Sequence, residues 1–450
     1  MGEIQQVDVV VMGLGVGGEE AAGRLAAAGL TVVGVENTLV GGECPYWGCI
    51  PTKMMVRAGS AIAEAWRIPG LAGVATVTPD WQPVAKRIRD EATDDWNDKV
   101  AVDRFVGKGG HFVRGTAKAV GPGRVQVDDE VYEATRAVVV ATGTKAVIPP
   151  IDGLAGTPYW TNREVVETEV LPETLLVLGG GAIGVELAQV LARFGVRVTI
   201  IEGSGRLLAM EEPESSEVAA RALTANGVTI RTGVHATKVS YDEGFTVTLD
   251  DGTTLTGEKL LVATGRAARL SGLEALGVDE SARFVTTDEW MRAGDKVWAV
   301  GDVTGHGAFT HMAMYEADVA VRDILGQGGP AADYRALPRV TFIDPEIGAV
   351  GLTEKQARDA GLDVRVGFVP LSSTSRGFIH GPGNDGFIKL IAADGVIVGA
   401  TTAGPAGGEM IGALSVAVHA SVPVSTLQST IWAYPTFHRG IGSALEGLLQ

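Results

Sequence analysis

The segment VDVVVMGLGVGGEEAAGRLAAAGLTVVGVEN, Val7–Asn37, passes from an apolar run to glycines, then to an Ala/Gly-rich stretch, then to a second apolar run. It reads as strand, glycine turn, helix, strand, with Gly13, Gly15 and Gly18 at the turn and Glu36 ending the second strand. The glycines have separate work: one permits the tight turn, one lets backbone amides approach a pyrophosphate, and one lets the helix pack close to the sheet. The helix N-terminus then turns its partial positive charge toward the phosphates. A lone G-x-G-x-x-G is weak evidence, because glycine turns serve many α/β folds for structural reasons.

This one is not alone. TLLVLGGGAIGVELAQVLARFGVRVTIIEG repeats the plan, with Gly179, Gly181 and Gly184 at the turn and Glu202 ending the strand. Each copy has a strand before it, a helix after it and an acidic residue about twenty positions on, as a ribose 2′-hydroxyl requires. Each is also followed by an apolar strand running into Ala-Thr-Gly, at Thr142–Gly143 and Thr264–Gly265. Asp302, in KVWAVGDVTGHG, follows a further strand and presents a carboxylate able to accept from sugar-like hydroxyls. Beyond about Leu337 the composition shifts to a strand-rich pattern that predicts a mixed α+β domain.

With 450 residues the chain exceeds what one hydrophobic core serves. Its formal charge of -17 argues against a nucleic-acid partner, since phosphate backbones are bound by releasing counterions to Lys and Arg. No apolar run is long enough to predict a membrane span, and MGEIQQVDVVVMG lacks the basic region and cleavage site of a signal peptide, so the expected location is the cytoplasm.

GGECPYWGCIPTK, Gly41–Lys53, holds the only two cysteines, Cys44 and Cys49. In a reducing compartment a close pair is catalytic or metal-binding more often than structural. Zinc is the weaker reading, because the seven histidines are scattered without an H-x-x-x-H pair. A helix N-terminus or a nearby cation lowers a thiol's pKa, and Pro45 suits a first helical turn.

Together the motifs resemble the flavoprotein disulfide reductases with two dinucleotide-binding domains, the family of dihydrolipoamide dehydrogenase, glutathione reductase and mercuric reductase. The resemblance covers nearly the whole chain. It implies an α/β fold with two Rossmann-like dinucleotide-binding domains plus a C-terminal α+β dimerisation domain: FAD binding at 1–150 and 269–335, NAD(P) binding at 151–268, and a homodimer interface at 336–450. By the same resemblance Gly13, Gly15, Gly18, Glu36 and Asp302 contact FAD, and Gly179, Gly181, Gly184 and Glu202 contact the nicotinamide nucleotide. Further cofactor contacts are implied at Gly42, Lys53, Ala117, Thr142, Gly143, Thr310, Val239 and Gly265. Cys44 becomes the thiol that exchanges with substrate and Cys49 the one that meets the flavin, with Lys53 paired to Glu186 beside the reactive ring. Glu202 favours NADH over NADPH by repelling a 2′-phosphate, a repulsion that Arg206, four residues on, would partly soften.

The chain departs from the family pattern at its C-terminus. Disulfide-reducing members carry His-Pro-Thr followed closely by Glu, whereas IWAYPTFHRG has Tyr434 at the histidine position and Arg439 at that of the glutamate. A tyrosine would need about three pKa units, roughly 4 kcal/mol, to serve as a base at pH 7. Tyr434 can donate as a neutral phenol, and His438 is the alternative proton carrier. Tyr46 and Trp47 between the cysteines are bulky, and Trp47 is expected to pack. Mercury reduction is disfavoured, because the mercuric reductases that the chain resembles use an additional C-terminal cysteine pair that a chain with two cysteines cannot supply. The expected enzyme passes electrons from NADH to FAD to the Cys44–Cys49 disulfide and on to a small disulfide acceptor. The alternative is a quinone or dye reductase, or a transhydrogenase-like enzyme, that does not need the disulfide.

Overall fold

The computed structural model describes residues 4–449. They divide into two compact units. The first comprises the chain up to Pro51 with Lys86–Val147 and Arg266–Tyr334; the second comprises Thr52–Ala85, Ile148–Gly265 and the chain from Arg335.

The first unit is built on β1 (Ile4–Met12), α1 (Val16–Ala27) and β2 (Val32–Glu36). β1 pairs in parallel with β2 on one side, Val9 opposite Val32, and with the strand Glu130–Val140 on the other, Met12 opposite Val140. The parallel strands His111–Arg114 and Val297–Ala299 extend the sheet at either side. A continuous apolar run is what such a strand needs, since both of its faces are covered. Val9 and Val11 join one cluster with Leu25, Phe105 and Ala320, while Val10 and Met12 join another with Val125, Tyr132 and Leu273. α2 (Glu43–Tyr46) is a single turn, followed by the long helix α3 (Cys49–Arg67).

The second unit repeats the plan. Its parallel sheet runs Thr229–Thr232, Arg197–Glu202, Thr174–Leu178, Lys259–Val262, with the helix Ala182–Arg193 following the glycine turn. A three-stranded antiparallel meander, Ala236–Tyr241, Phe245–Leu249 and Thr254–Gly257, packs its apolar residues against that sheet. From Pro338 onward the expected α+β region is a five-stranded antiparallel sheet. The helices Gly407–His419 and Arg439–Glu446 cover it through Met410, Leu414, Ile441 and Leu445. No helix among the described residues is long and apolar enough to cross a membrane.

Candidate active site

The two glycine turns are closely alike. Gly13 and Gly179 adopt φ of +98° and +108°, where side chains are strained. A methyl on either would lie 2.4 Å from a carbonyl oxygen, that of Ala141 or of Ala263. Each Ala-Thr-Gly segment thus packs on its own glycine turn. A methyl on Gly18 would stand 2.0 Å from the Gly13 oxygen, and one on Gly184 would stand 2.1 Å from the Gly179 oxygen. Around Gly15 and Gly181 the picture reverses: a methyl there meets nothing within 4 Å. Both residues are helix N-caps with no side-chain cap, so the free amides of the first turn face open space. Such a turn leaves room for a pyrophosphate, and the residues at both turns fit a dinucleotide.

The acidic residues brace these turns. Glu36 is buried and accepts from Leu14 N at 2.9 Å and from the amide and hydroxyl of Thr38 at 2.8 Å. Glu202 accepts from Gly180 N and Ser204 N, both at 2.6 Å. Arg206 does not occupy the position expected of it. Its guanidinium donates to the carbonyls of Ala209 at 2.8 Å, Glu211 at 2.7 Å and Leu208 at 3.2 Å, and to Ser216 Oγ. Carbonyls of its own loop hold the guanidinium in place.

Asp302 opens a short helical turn and accepts from Thr144 Oγ1 at 2.8 Å. Burial pushes its carboxyl above the usual range, against the opposing pull of Thr144 and of the Arg266 guanidinium. Arg266 also donates to Thr144 Oγ1 at 2.8 Å. Thr142 Oγ1 donates to Arg269 O at 2.7 Å, and Gly143 O accepts from Arg269 N at 3.0 Å. Gly42, at φ +69°, is packed so closely that a methyl would lie 2.8 Å from Gly15 Cα. Ala117 is half-buried and Gly265 is exposed at φ +111°. Val239 is 1% exposed, and its side chain lies in the apolar cluster behind the meander, leaving only its backbone for a cofactor contact.

Both cysteines are free thiols, Cys44 half-buried and Cys49 exposed at the first position of α3. Pro45 sits within the single turn of α2, as a residue lacking an N–H can. Tyr46 and Trp47 are buried, their ring centroids 5.9 Å apart, so Trp47 does pack. Thr310, the first residue of the helix Thr310–Ile324, places Oγ1 3.4 Å from Cys49 Sγ. The expected lowering of the thiol is absent at Cys44. Its hydrogen bond with Cys49 and then burial push it up, opposed by Thr310.

In the second unit, Lys53 Nζ donates to Glu186 Oε2 at 2.6 Å and lies 4.7 Å from the Phe342 ring centroid. This is more than a surface pair, because Glu186 is 7% exposed and its other oxygen accepts from Phe342 N at 2.7 Å. One turn on, Gln189 exchanges two hydrogen bonds with the Asp344 backbone, at 2.7 and 2.9 Å. Asp344 in turn accepts from Arg193 and Arg67, both at 2.7 Å. Sequence reading found Lys53 and Glu186 and missed Phe342, Gln189 and Asp344, for which it carried no signal. At the C-terminus Tyr434 is 72% exposed and His438 is the half-buried N-cap of the last long helix. Neither side chain has a hydrogen-bond partner among the described residues. Nor do the described residues hold a His, Cys, Asp or Glu cluster suited to a metal ion.

Comparison with known proteins matches residues 7–317 to the pyridine nucleotide-disulphide oxidoreductase model and residues 337–445 to the dimerisation domain of the same name. The chain is 33% identical to a dihydrolipoyl dehydrogenase of Thermus scotoductus, over 98% of this chain and 97% of that enzyme. It is also 33% identical to a mercuric reductase of Streptomyces lividans, over 98% of this chain and 95% of the other. Among solved structures it is similar to LpdA of Mycobacterium tuberculosis, with a TM-score of 0.86, 25% identity and coverage of 98% and 99% of the two chains. The flavoprotein disulfide reductase RclA of Escherichia coli gives a TM-score of 0.84 at 27% identity, with the same coverage.

Proposed function

Because the chain belongs to the pyridine nucleotide-disulphide oxidoreductase family, flavoprotein enzymes that bind FAD and NAD(P), we propose that it is a homodimeric NADH-dependent reductase of a small disulfide. The observation that carries this reading is the thiol pair, with Cys49 at the start of α3 touching Thr310 and Cys44 of α2 hydrogen-bonded to Cys49. When bound, FAD supplies the two-electron relay between a nicotinamide and this pair.

The protein's own part is thiol exchange. The Cys44 thiolate attacks one sulfur of the acceptor, the acceptor's S–S bond breaks, and the departing thiolate takes a proton. Cys49 then attacks the Cys44 sulfur, which releases the second acceptor thiol and leaves the Cys44–Cys49 disulfide. Two protein thiols are oxidised as one acceptor disulfide becomes two thiols, and NADH restores the pair. Tyr434 or His438 of the partner subunit holds the proton that the leaving sulfur takes. Glu186 holds Lys53 in its orientation. Preference for NADH is supported by Glu202 and by the diversion of Arg206 to its own loop.

The exposed, unpartnered phenol of Tyr434 favours a second reading, in which a quinone, dye or second nucleotide is reduced without the cysteines. Steady-state assays with NADH against lipoamide, low-molecular-weight disulfides and quinones, on wild type and on Cys44→Ser/Cys49→Ser, separate the two. The leading reading expects disulfide turnover that the double variant loses. Full quinone turnover in the double variant, with no disulfide reduced by wild type, overturns it.

A further inference from the structure

Gly203, the residue after Glu202, is covered by an imidazole. A methyl on Gly203 would stand 2.4 Å from Cε1 and 2.7 Å from Nδ1 of His235, so the ring lies directly on this backbone. The strand register brings it there. Thr232 is the parallel partner of Glu202, and the chain beyond stays alongside: Gly233 N donates to Ser204 O at 2.8 Å and Val234 N to Glu202 O at 3.4 Å. His235 is the next residue, exposed, with its amide anchored on Asp250 Oδ1 at 3.1 Å.

In a Rossmann unit the acidic residue ending the second strand faces the adenosine ribose, where NAD carries a 2′-hydroxyl and NADP a 2′-phosphate. Two basic side chains stand near that acid in the sequence or the fold. Arg206 is spent on four carbonyls and a hydroxyl. His235 is the one left open to solvent beside Glu202. We propose that His235, rather than Arg206, is the residue that meets the adenosine 2′ substituent and sets selectivity between the two nicotinamide nucleotides. Its ring N–H donates to a ribose hydroxyl and its face packs on the sugar. A 2′-phosphate meets the Glu202 carboxylate with only one weak donor to compensate. The proposal rests on the reading that the second glycine turn holds a nicotinamide nucleotide.

Isothermal titration of the FAD-loaded protein with ADP and with adenosine 2′,5′-bisphosphate tests it without turnover. His235→Arg places a permanent planar cation there and should raise bisphosphate affinity relative to ADP about tenfold. His235→Ala should weaken ADP about threefold through the loss of one neutral hydrogen bond. Arg206→Lys should leave the ratio of the two affinities within about twofold of wild type. The proposal is overturned if His235→Arg leaves that ratio unchanged, if His235→Ala binds ADP as wild type does, or if Arg206→Lys moves the ratio as far as His235→Arg. Should wild type bind neither nucleotide, the underlying reading of the second turn fails instead.

Discussion

If the second turn holds a nucleotide as proposed, its three glycines divide into packing and binding roles, and alanine at Gly184 and at Gly181 should separate the two. At Gly184 the added carbon would lie 2.1 Å from the Gly179 oxygen, where ordinary contact begins at 3.4 Å, so the helix must retreat by roughly 1.3 Å. Overpacking of this kind costs about 1–3 kcal/mol. At Gly181 the carbon meets nothing within 4 Å, and replacing an N-cap glycine by alanine costs at most about 1 kcal/mol. The same carbon stands where a pyrophosphate approaches the amides. Losing one charge-assisted hydrogen bond of about 1.5–3 kcal/mol weakens ADP by roughly 10- to 150-fold. Hydrogen-exchange mass spectrometry over Ala182–Arg193, with ADP titration of the FAD-loaded protein, reads both quantities. Gly184→Ala should lose amide protection. Gly181→Ala should keep protection and FAD content and lose ADP affinity. If Gly181→Ala binds ADP within about twofold of wild type, or Gly184→Ala protects its helix fully, the division of roles is wrong.

Two further outcomes follow from the shifted acids. Cys44 is held up first by its hydrogen bond with Cys49, so Cys49→Ser should move the pH midpoint of Cys44 alkylation downward from that of the reduced wild type, read by mass spectrometry. An unchanged midpoint would assign the shift to burial. Asp302 is held up by burial, so its ionised form destabilises the fold at neutral pH, and that penalty disappears as pH falls through its raised pKa. Apo Asp302→Asn should therefore match or exceed wild-type stability at pH 7, with the gap closing toward acid, while FAD affinity falls; urea unfolding across pH and flavin titration measure both.

The repeated strand, glycine turn, helix and strand were legible because their signals are local: apolar runs, glycine spacing and an acid at a fixed offset. Cys44, Cys49, Lys53 and Glu186 were legible through the resemblance. What escaped depended on distant chain. Phe342 and Asp344 meet Glu186 and Gln189 more than 150 residues away, through backbone amides that leave no mark on residue type. Arg206 stands four residues after Glu202 in sequence, and only the fold shows its guanidinium bonded to nearby carbonyls. Val239 lies on the inward face of its strand, a two-residue alternation that decides between core and surface. His235 is ordinary in sequence and gains its place only from the pairing of Thr232 with Glu202.

Electron flow from NADH through FAD into the Cys44–Cys49 pair is tested most directly by anaerobic NADH titration followed by absorbance. The two-electron-reduced wild type should develop a long-wavelength thiolate-to-flavin charge-transfer band, and Cys49→Ser should abolish it. A wild-type enzyme whose flavin bleaches with no such band would place the cysteines outside the electron path.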